Sequence, residues 1–135
     1  MTKYHAKKTV IDDIQFDSKI EGQYYLHLKE QQEKGNIAAF NLQPRFLLQE
    51  GFRKNGKWYR PIEYVADFEI LHNDDSIEIV DVKGFETADF KIKRKLFEKK
   101  YPHTLNLVKY VKKWGGWITT DEWKDLKKIE KGMKK

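Results

Sequence analysis

Asp67, Asp81 and Lys83 are the residues of this sequence whose types and spacing best fit a chemical task. The run from Ile77 to Lys83 is typical of a β-strand, in which Ile77, Ile79, Asp81 and Lys83 alternate with Glu78, Val80 and Val82. Side chains repeat every second residue in a strand, so Asp81 and Lys83 are expected on the same side. A second alternating run, roughly 62–71, predicts another strand with Asp67 near its middle.

The segment between these runs predicts a hairpin that brings the two acids together. If Asn73, Asp74 and Asp75 form its loop, the flanking residues 72 and 76 face each other. Counting back along both strands then places Asp67 opposite Asp81. Cross-strand neighbours have Cβ atoms ~5 Å apart. One face is therefore predicted to carry two carboxylates and the lysine.

Such a group of side chains suits the hydrolysis of a phosphodiester by a divalent metal. Asp67 and Asp81 are the predicted anionic ligands of Mg²⁺ or Mn²⁺, and the Val82 carbonyl is a further oxygen ligand. Lys83 is expected beside the attacking water or the scissile phosphate, as a compact cation with three donors. The alternative is that Asp81 and Lys83 are a solvated pair on an exposed strand.

The remaining patterns predict one mixed β-sheet flanked by helices, an α/β fold of the α+β kind with a central mixed sheet. A first helix is capped by Asp17 or Ser18 and ends at Gly35. The other predicted elements are strands near 37–42, 46–49, 58–71, 76–83 and 105–111, a helix from Thr87 or Asp89 to about Lys100, and a last helix near 119–129. The connection from Lys83 to Leu105 is long enough for a parallel crossover.

Length and composition indicate a single domain. The 135 residues are divided into an arm over 1–15, a nuclease-like domain over 16–130 and a basic tail over 131–135. No stretch approaches the ~20 apolar residues needed to span a bilayer, so no membrane association is expected. With 0 Cys, a cytoplasmic location in a reducing compartment is expected.

Basic residues give the chain a net charge of +6, and they concentrate in its C-terminal third. The predicted helix after Lys83 carries the candidate phosphate-binding residues Lys91, Lys93, Arg94 and Lys95. This charge favours a polyanionic partner. Lysine-rich helices that are merely solvated are the alternative.

The residues Glu21, Asp67, Asp81 and Lys83, followed by the basic helix, resemble the PD-(D/E)XK, or restriction-endonuclease-like, nuclease superfamily. The sequence also resembles a small phage-encoded branch of unassigned function that is similar to Holliday-junction resolvases. That resemblance covers roughly residues 15 to 110 and lies in the blocks FDSKIEGQYYLHLK, GNIAAFNLQPRF, RPIEYVADFEI, VDVKGFET and FKIKRKLFEKKYP. It implies a restriction-endonuclease-like core.

The resemblance also implies roles for two further residues. Glu21 would be a metal ligand or would orient a metal-bound water. Its alternative role is in a capping box with Ser18 at the start of the helix. Gln43 would contact substrate or a metal-bound water, or else it is only a turn residue before Pro44.

The predicted function is therefore that of a Mg²⁺- or Mn²⁺-dependent DNA endonuclease. From the resemblance, we expect a homodimer that cuts branched or junction DNA in phage replication or recombination inside an infected host cell, with no small-molecule cofactor. The alternatives are a sequence-specific or transposase-associated cleavage subunit, a non-catalytic module that binds nucleic acid or protein, and an accessory protein that binds a host protein.

Overall fold

A computed structural model describes residues 8–82 and 86–133 of the chain. In these ranges it contains helices α1 (Lys19–Glu33), α2 (Ala88–Lys100) and α3 (Thr120–Met133). The strands are β1 (Thr9–Ile11), β2 (Ile14–Phe16), β3 (Ala39–Leu42), β4 (Arg45–Gln49), β5 (Phe52–Lys54), β6 (Lys57–Tyr59), β7 (Ile62–Val65), β8 (Phe68–Leu71), β9 (Ile77–Val82), β10 (Thr104–Val111) and β11 (Gly116–Thr119).

A five-stranded mixed sheet in the order β11-β10-β9-β8-β3 forms the centre of the fold. Strands β9 and β10 are parallel and are joined through α2, which confirms the predicted parallel connection. The other neighbours in this sheet are antiparallel. The prediction of an α+β fold with a mixed sheet is confirmed.

The sheet separates two apolar clusters because side chains of β9 alternate between its faces. Val80 and Val82 pack with Tyr24, Leu28 and other residues of α1. Ile79 belongs to the opposite cluster, which contains the buried α2 residues Phe90 and Phe97 together with Leu105 and Leu107 of β10. Helices α1 and α2 therefore cover opposite faces of the sheet.

Helix starts follow the capping signals of the sequence. Ser18 Oγ accepts a hydrogen bond from the Glu21 N–H at 3.2 Å, and Thr87 Oγ1 accepts one from the Phe90 N–H at 3.1 Å. At α3 the capping box is reciprocal, since Thr119 and Glu122 each bond the other's N–H at 3.1 Å. Helix α3 continues to Met133, beyond the predicted end near residue 129.

The predicted single strand over 58–71 is wrong, because the chain forms three strands in three different sheets. Strand β6 pairs with β5, β7 pairs with β4, and β8 lies between β3 and β9 in the central sheet. Pro61 lies between β6 and β7, and Ala66-Asp67 separates β7 from β8. Proline lacks the N–H that a ladder requires. The break at Ala66-Asp67 lies beside a second break at Gln43-Pro44, to which it is hydrogen-bonded.

The segment before α1 is a short hairpin. Strands β1 and β2 pair with Thr9 opposite Phe16, and Ile11 and Ile14 pack against the α1 cluster. The part of the predicted arm over residues 1–7 lies outside the described residues. Within the described ranges, no helix has both the length and the apolar character needed to cross a membrane.

Candidate active site

The hairpin between β8 and β9 has the register that the sequence predicted. Phe68 pairs with Val80 and Leu71 with Ile77, and the His72 N–H donates to the Ser76 carbonyl at 2.9 Å. The next pair in this register is Asp67 opposite Asp81. The three-residue loop is closed by Asp75, whose φ of 71° lies in the left-handed region.

At that pair the two carboxylates replace the regular backbone ladder. The Asp67 N–H donates to Asp81 Oδ1 at 2.8 Å, while Asp67 Oδ2 accepts the Val82 N–H at 2.9 Å. Each acid thus binds the backbone of the opposite strand. This reciprocal arrangement holds the two side chains at the same level of the sheet.

Asp81 is buried, with 1% of its surface exposed. Its Oδ2 accepts a short hydrogen bond from the Tyr64 hydroxyl. Burial, and then the charge of Asp81, raise the pKa of Tyr64, while the nearby Arg94 opposes that rise. The tyrosine therefore stays protonated and is kept as a donor to the carboxylate. An acid this deep in a sheet is tolerated because it is hydrogen-bonded.

The break that precedes Asp67 is matched by a break in the neighbouring chain segment. Gln43 has a φ of 49° and is followed by Pro44 between β3 and β4. The Gln43 N–H donates to the Asp67 carbonyl at 3.0 Å, and the Ala66 N–H donates to the Pro44 carbonyl at 3.1 Å. Both segments are therefore interrupted at the same level.

This double break moves the chain from one face of the sheet to the other. Tyr64 and Ala66 belong to the α2 cluster, whereas Phe68 and Ile70 belong to the α1 cluster. In an uninterrupted strand these four residues would share a face. Asp67 lies at the crossing point, so it is not on a continuous strand face as the sequence suggested.

The crossing point opens into a cavity of about 90 Å³. Three of the predicted site residues, Glu21, Gln43 and Asp67, are among its lining residues. Glu21 reaches this position from the first turn of α1, where its N–H is held by Ser18. Its backbone thus takes part in capping while the residue lines the cavity, and its role toward a metal or a metal-bound water stays a prediction.

The donor types at this cavity suit a hard divalent cation. Mg²⁺ prefers oxygen ligands and is usually bound through one or two carboxylates, with water and phosphate completing the shell. Within 8–82 and 86–133, no group of three or more His, Asp or Glu side chains is arranged to hold a metal. Glu21 and Asp67 line the cavity and the Asp67 N–H donates to Asp81, so the carboxylates of these three residues are the candidates to hold such an ion.

Two of the predicted site residues have a limited description. Lys83 lies outside the described residues, so its predicted position beside the nucleophile stays a prediction. Val82 is buried, and its N–H donates to Asp67. Its carbonyl remains a predicted metal ligand.

The four predicted phosphate-binding residues of α2 do not form one patch. Lys93 and Arg94 flank the buried stripe on opposite sides, because successive residues turn by 100° around a helix. Lys93 lies 3.7 Å from Asp89, while Arg94 lies 3.6 Å from Glu86 and donates to the Leu105 carbonyl at 3.3 Å. Lys91 and Lys95 are exposed.

Tyr64 is the site residue that sequence reasoning missed. A tyrosine in an apolar strand needs a partner for its hydroxyl, and this was an available signal. The sequence did not indicate that the partner is Asp81, because the contact depends on the crossing between β7 and β8. Arg94 contributes to the electrostatics of Tyr64 as well, although it was predicted to bind phosphate.

Fold and site together define an α+β protein with an acidic cavity at a break in its central sheet. The chain belongs to a family of proteins of unknown function, DUF1064, whose sequence model matches residues 1–115. That match includes the cavity and ends before α3 begins. Comparisons with curated proteins and with solved structures gave no match.

Proposed function

We propose that this protein is a metal-dependent DNA endonuclease that hydrolyses phosphodiester bonds, with branched DNA as its substrate in phage replication or recombination. The observation that carries the proposal is the convergence of Glu21, Gln43 and Asp67 on one cavity, with Asp81 hydrogen-bonded directly behind Asp67. These residues come from four different parts of the chain. Polar residues that meet at one cavity beside an apolar core are a reason to look for function there.

The chain's own residues divide the proposed work. Asp67 and Asp81 supply anionic oxygens for Mg²⁺, and Tyr64 fixes the orientation of the Asp81 carboxylate through its hydroxyl. Glu21 would position a water on the other side of the cavity. A bound Mg²⁺ would activate that water and neutralise charge on the phosphate. Lys83 is proposed to hold the scissile phosphate or the water.

A non-catalytic binding module is the second candidate function, and the state of Asp81 favours it. Both oxygens of this carboxylate already accept hydrogen bonds from Tyr64 and from the Asp67 N–H. A purely structural acid would be satisfied in this way.

A cleavage assay separates the two candidates. Linear duplex, single-stranded, flap and four-way-junction DNA are incubated with the protein in Mg²⁺, in Mn²⁺ and in EDTA, beside the Asp81→Asn variant. The amide keeps the size of the side chain and can still bond the Tyr64 hydroxyl, so folding is retained. Metal-dependent cutting that the variant lacks supports the nuclease. Equal binding by both proteins with no cutting of any DNA supports the binding module.

A further inference from the structure

The hairpin of β5 and β6 is a second region of unusual composition. Phe52 pairs with Tyr59, Arg53 with Trp58 and Lys54 with Lys57. The turn between the strands is Asn55-Gly56, with φ values of 51° and 76°. Two positive φ values match the tight turn that asparagine and glycine favour in hairpins. We call residues 52–60 the ribbon.

Every residue of the ribbon is exposed, although three of them are large aromatic residues. Phe52 is 42% exposed, Trp58 52% and Tyr59 40%. Single exposed apolar residues are common on proteins. Three aromatic rings within one exposed hairpin indicate a contact surface for another molecule.

The charge of the ribbon indicates what that molecule is. Arg53, Lys54, Lys57 and Arg60 are its charged residues, and residues 52–60 contain no Asp or Glu. Four cations on a segment this short attract a polyanionic partner and repel a basic partner. Alternating cations and aromatic rings are the pattern of surfaces that hold phosphates and stack bases.

The two faces of the ribbon differ. On one face the Phe52 and Tyr59 rings stack at 4.8 Å with 9° between their planes, and the Lys57 ammonium lies 5.3 Å from the centre of the Tyr59 ring. By strand alternation, Lys54 shares this face. The face therefore presents a pair of flat rings next to two ammonium groups.

On the other face, Trp58 is 52% exposed and lies with one edge against its own chain. A Cβ at Gly51 would lie 2.6 Å from Trp58 Cζ2 and 3.0 Å from Pro61 Cδ, so the Trp58 indole rests against the backbone at Gly51. The Arg53 guanidinium lies 6.0 Å from the centre of the Trp58 ring. Trp58 thus contacts the chain where the ribbon joins β4 and β7, while the Phe52–Tyr59 face presents two stacked rings to a ligand.

The ribbon is continuous with the strands that lead to the cavity. It lies between β4 and β7, and β7 ends two residues before Asp67. At ~3.3 Å per residue, the turn is at most about 35 Å from Asp67 along the chain. The ribbon and Asp67 are therefore separated by no more than about one turn of duplex DNA.

We propose that the ribbon binds DNA at a branch, with Lys54 and Lys57 on phosphates and the rings of Phe52 and Tyr59 stacked on unpaired bases. Arg53 and Arg60 add phosphate contacts at the edges. The choice of DNA rather than another polyanion rests on the proposed nuclease function. The ribbon does not take part in the hydrolysis, so its role is measured by binding alone.

The test is the salt dependence of DNA affinity in EDTA, where no cleavage can occur. Fluorescein-labelled single-stranded, duplex and flap DNA are titrated with protein, and anisotropy is recorded between low and moderate NaCl. In Lys54→Gln/Lys57→Gln, the slope of log affinity against log salt for single strands should fall by about 1.4, since each lost phosphate contact removes about 0.7. The matched control is Lys124→Gln/Lys128→Gln, which removes the same charge from exposed positions of α3.

The rings are tested by Phe52→Leu/Tyr59→Leu, which keeps apolar side chains but removes the flat surfaces. Affinity for single-stranded and flap DNA should fall about tenfold, with a smaller change for the duplex. Thermal unfolding of each variant, followed by circular dichroism, checks that the fold is retained. If the aromatic variant unfolds, the Lys54→Gln/Lys57→Gln variant still tests the ribbon, because both lysines lie at exposed positions near the turn.

Several outcomes would overturn the ribbon proposal. They are an unchanged slope in the ribbon variant, an equal fall in the α3 control, absence of DNA binding by the wild type, and tighter binding of RNA of the same sequence. The ribbon and the nuclease can fail separately. If the wild type cuts DNA and the ribbon variants bind DNA normally, only the ribbon proposal is overturned. If the wild type binds DNA in a salt-sensitive way but does not cut it, only the nuclease proposal is overturned.

Discussion

The acidic cavity and the ribbon are opposites in almost every physical property. Beside the cavity residue Asp67, Asp81 is 1% exposed, and its hydrogen bonds come from residues distant in sequence, such as Tyr64. In the ribbon every residue is exposed, the charge is positive, and each strand pairs with its immediate neighbour in sequence. The cavity depends on the whole fold, whereas the ribbon is a local structure carried by it.

This difference separates two tasks that a nuclease must perform. A hydrolytic site needs fixed oxygens in a defined geometry, which a rigid sheet between two packed helices supplies. Holding a polyanion needs exposed cations, which tolerate motion because phosphate contacts are long-ranged and carry no sequence information. Changes at the cavity are therefore expected to alter the rate of cleavage, and changes at the ribbon the affinity for DNA.

Asp67→Asn should produce the largest effect and the sharpest contrast with the ribbon. Loss of this proposed metal ligand is expected to lower the single-turnover cleavage rate about 10³-fold or more, because a metal contributes several kcal/mol at such a site. DNA affinity in EDTA should change less than about twofold. Single-turnover cleavage and anisotropy measure the two quantities. A variant that cuts at the wild-type rate would remove Asp67 from the site.

Asp81→Ala is expected to affect stability as well as cleavage. The substitution leaves the buried Tyr64 hydroxyl and the Asp67 N–H without their acceptor. An unsatisfied buried group costs about 1–3 kcal/mol, so the variant should be about 2 kcal/mol less stable than Asp81→Asn. Urea unfolding compares the two variants directly. If the alanine variant were the more stable one, these hydrogen bonds would not hold the site together.

The strength of the sequence predictions differs between these two regions for a physical reason. The opposition of Asp67 and Asp81 could be predicted because a three-residue loop sets the register of both strands. The composition of the ribbon, with three aromatic residues and four cations within 52–60, is visible in the sequence, but only the fold shows that all of them are exposed. The break between β3 and β4 agrees with the predicted strands near 37–42 and 46–49, because Pro44 lies between them and lacks the N–H that a ladder requires.

The contact between Tyr64 and Asp81 could not have been predicted. It requires buried side chains of β7 to pack with α2 and those of β8 to pack with α1. No pattern of residues along the sequence predicts this change from one face to the other. The same holds for Lys93 and Arg94. Their sequence marks them as cations, but only the fold shows that each lies within 4 Å of a carboxylate.

Two glycines offer a matched pair of substitutions, one at each region. A Cβ at Gly22 would lie 2.8 Å from Ile11 Cδ1, between α1 and the first hairpin, so Gly22→Ala should destabilise the protein by about 1–3 kcal/mol. It should also displace Glu21 and slow cleavage. Gly51→Ala should instead displace Trp58 and weaken DNA binding, with a smaller effect on stability.

Urea unfolding, cleavage rates and anisotropy of the two variants separate these effects. The comparison between cavity and ribbon fails if Gly51→Ala slows cleavage of saturating DNA while Gly22→Ala leaves it unchanged.

The smallest expected effect is on the stability of the protein in alkali. Burial raises the pKa of Tyr64, so above about pH 10 the unfolded chain loses a proton that the folded chain keeps. Stability contributed by this group is complete below that pH and declines as the pH rises, by at most about 1.4 kcal/mol per unit. Tyr64→Phe should flatten this decline in urea unfolding measured from pH 8 to pH 11.

Tyr24→Phe is the control, because burial raises the pKa of Tyr24 too, and this residue lies in the α1 cluster. Both variants should flatten the alkaline decline, but only Tyr64→Phe should slow cleavage. Equal cleavage rates would show that the Tyr64 hydroxyl does not orient Asp81.

Binding of Mn²⁺ to the free protein tests the acidic cavity most directly, because it requires neither a DNA substrate nor the ribbon. Electron paramagnetic resonance reports free Mn²⁺ during a titration of the wild type, Asp67→Asn, Asp81→Asn and Asp89→Asn. The last variant removes one charge from an exposed side chain of α2 and serves as the control. We expect a site in the wild type and in the control that both cavity variants lack. Equal Mn²⁺ binding by all four proteins would contradict a metal centre at Asp67 and Asp81.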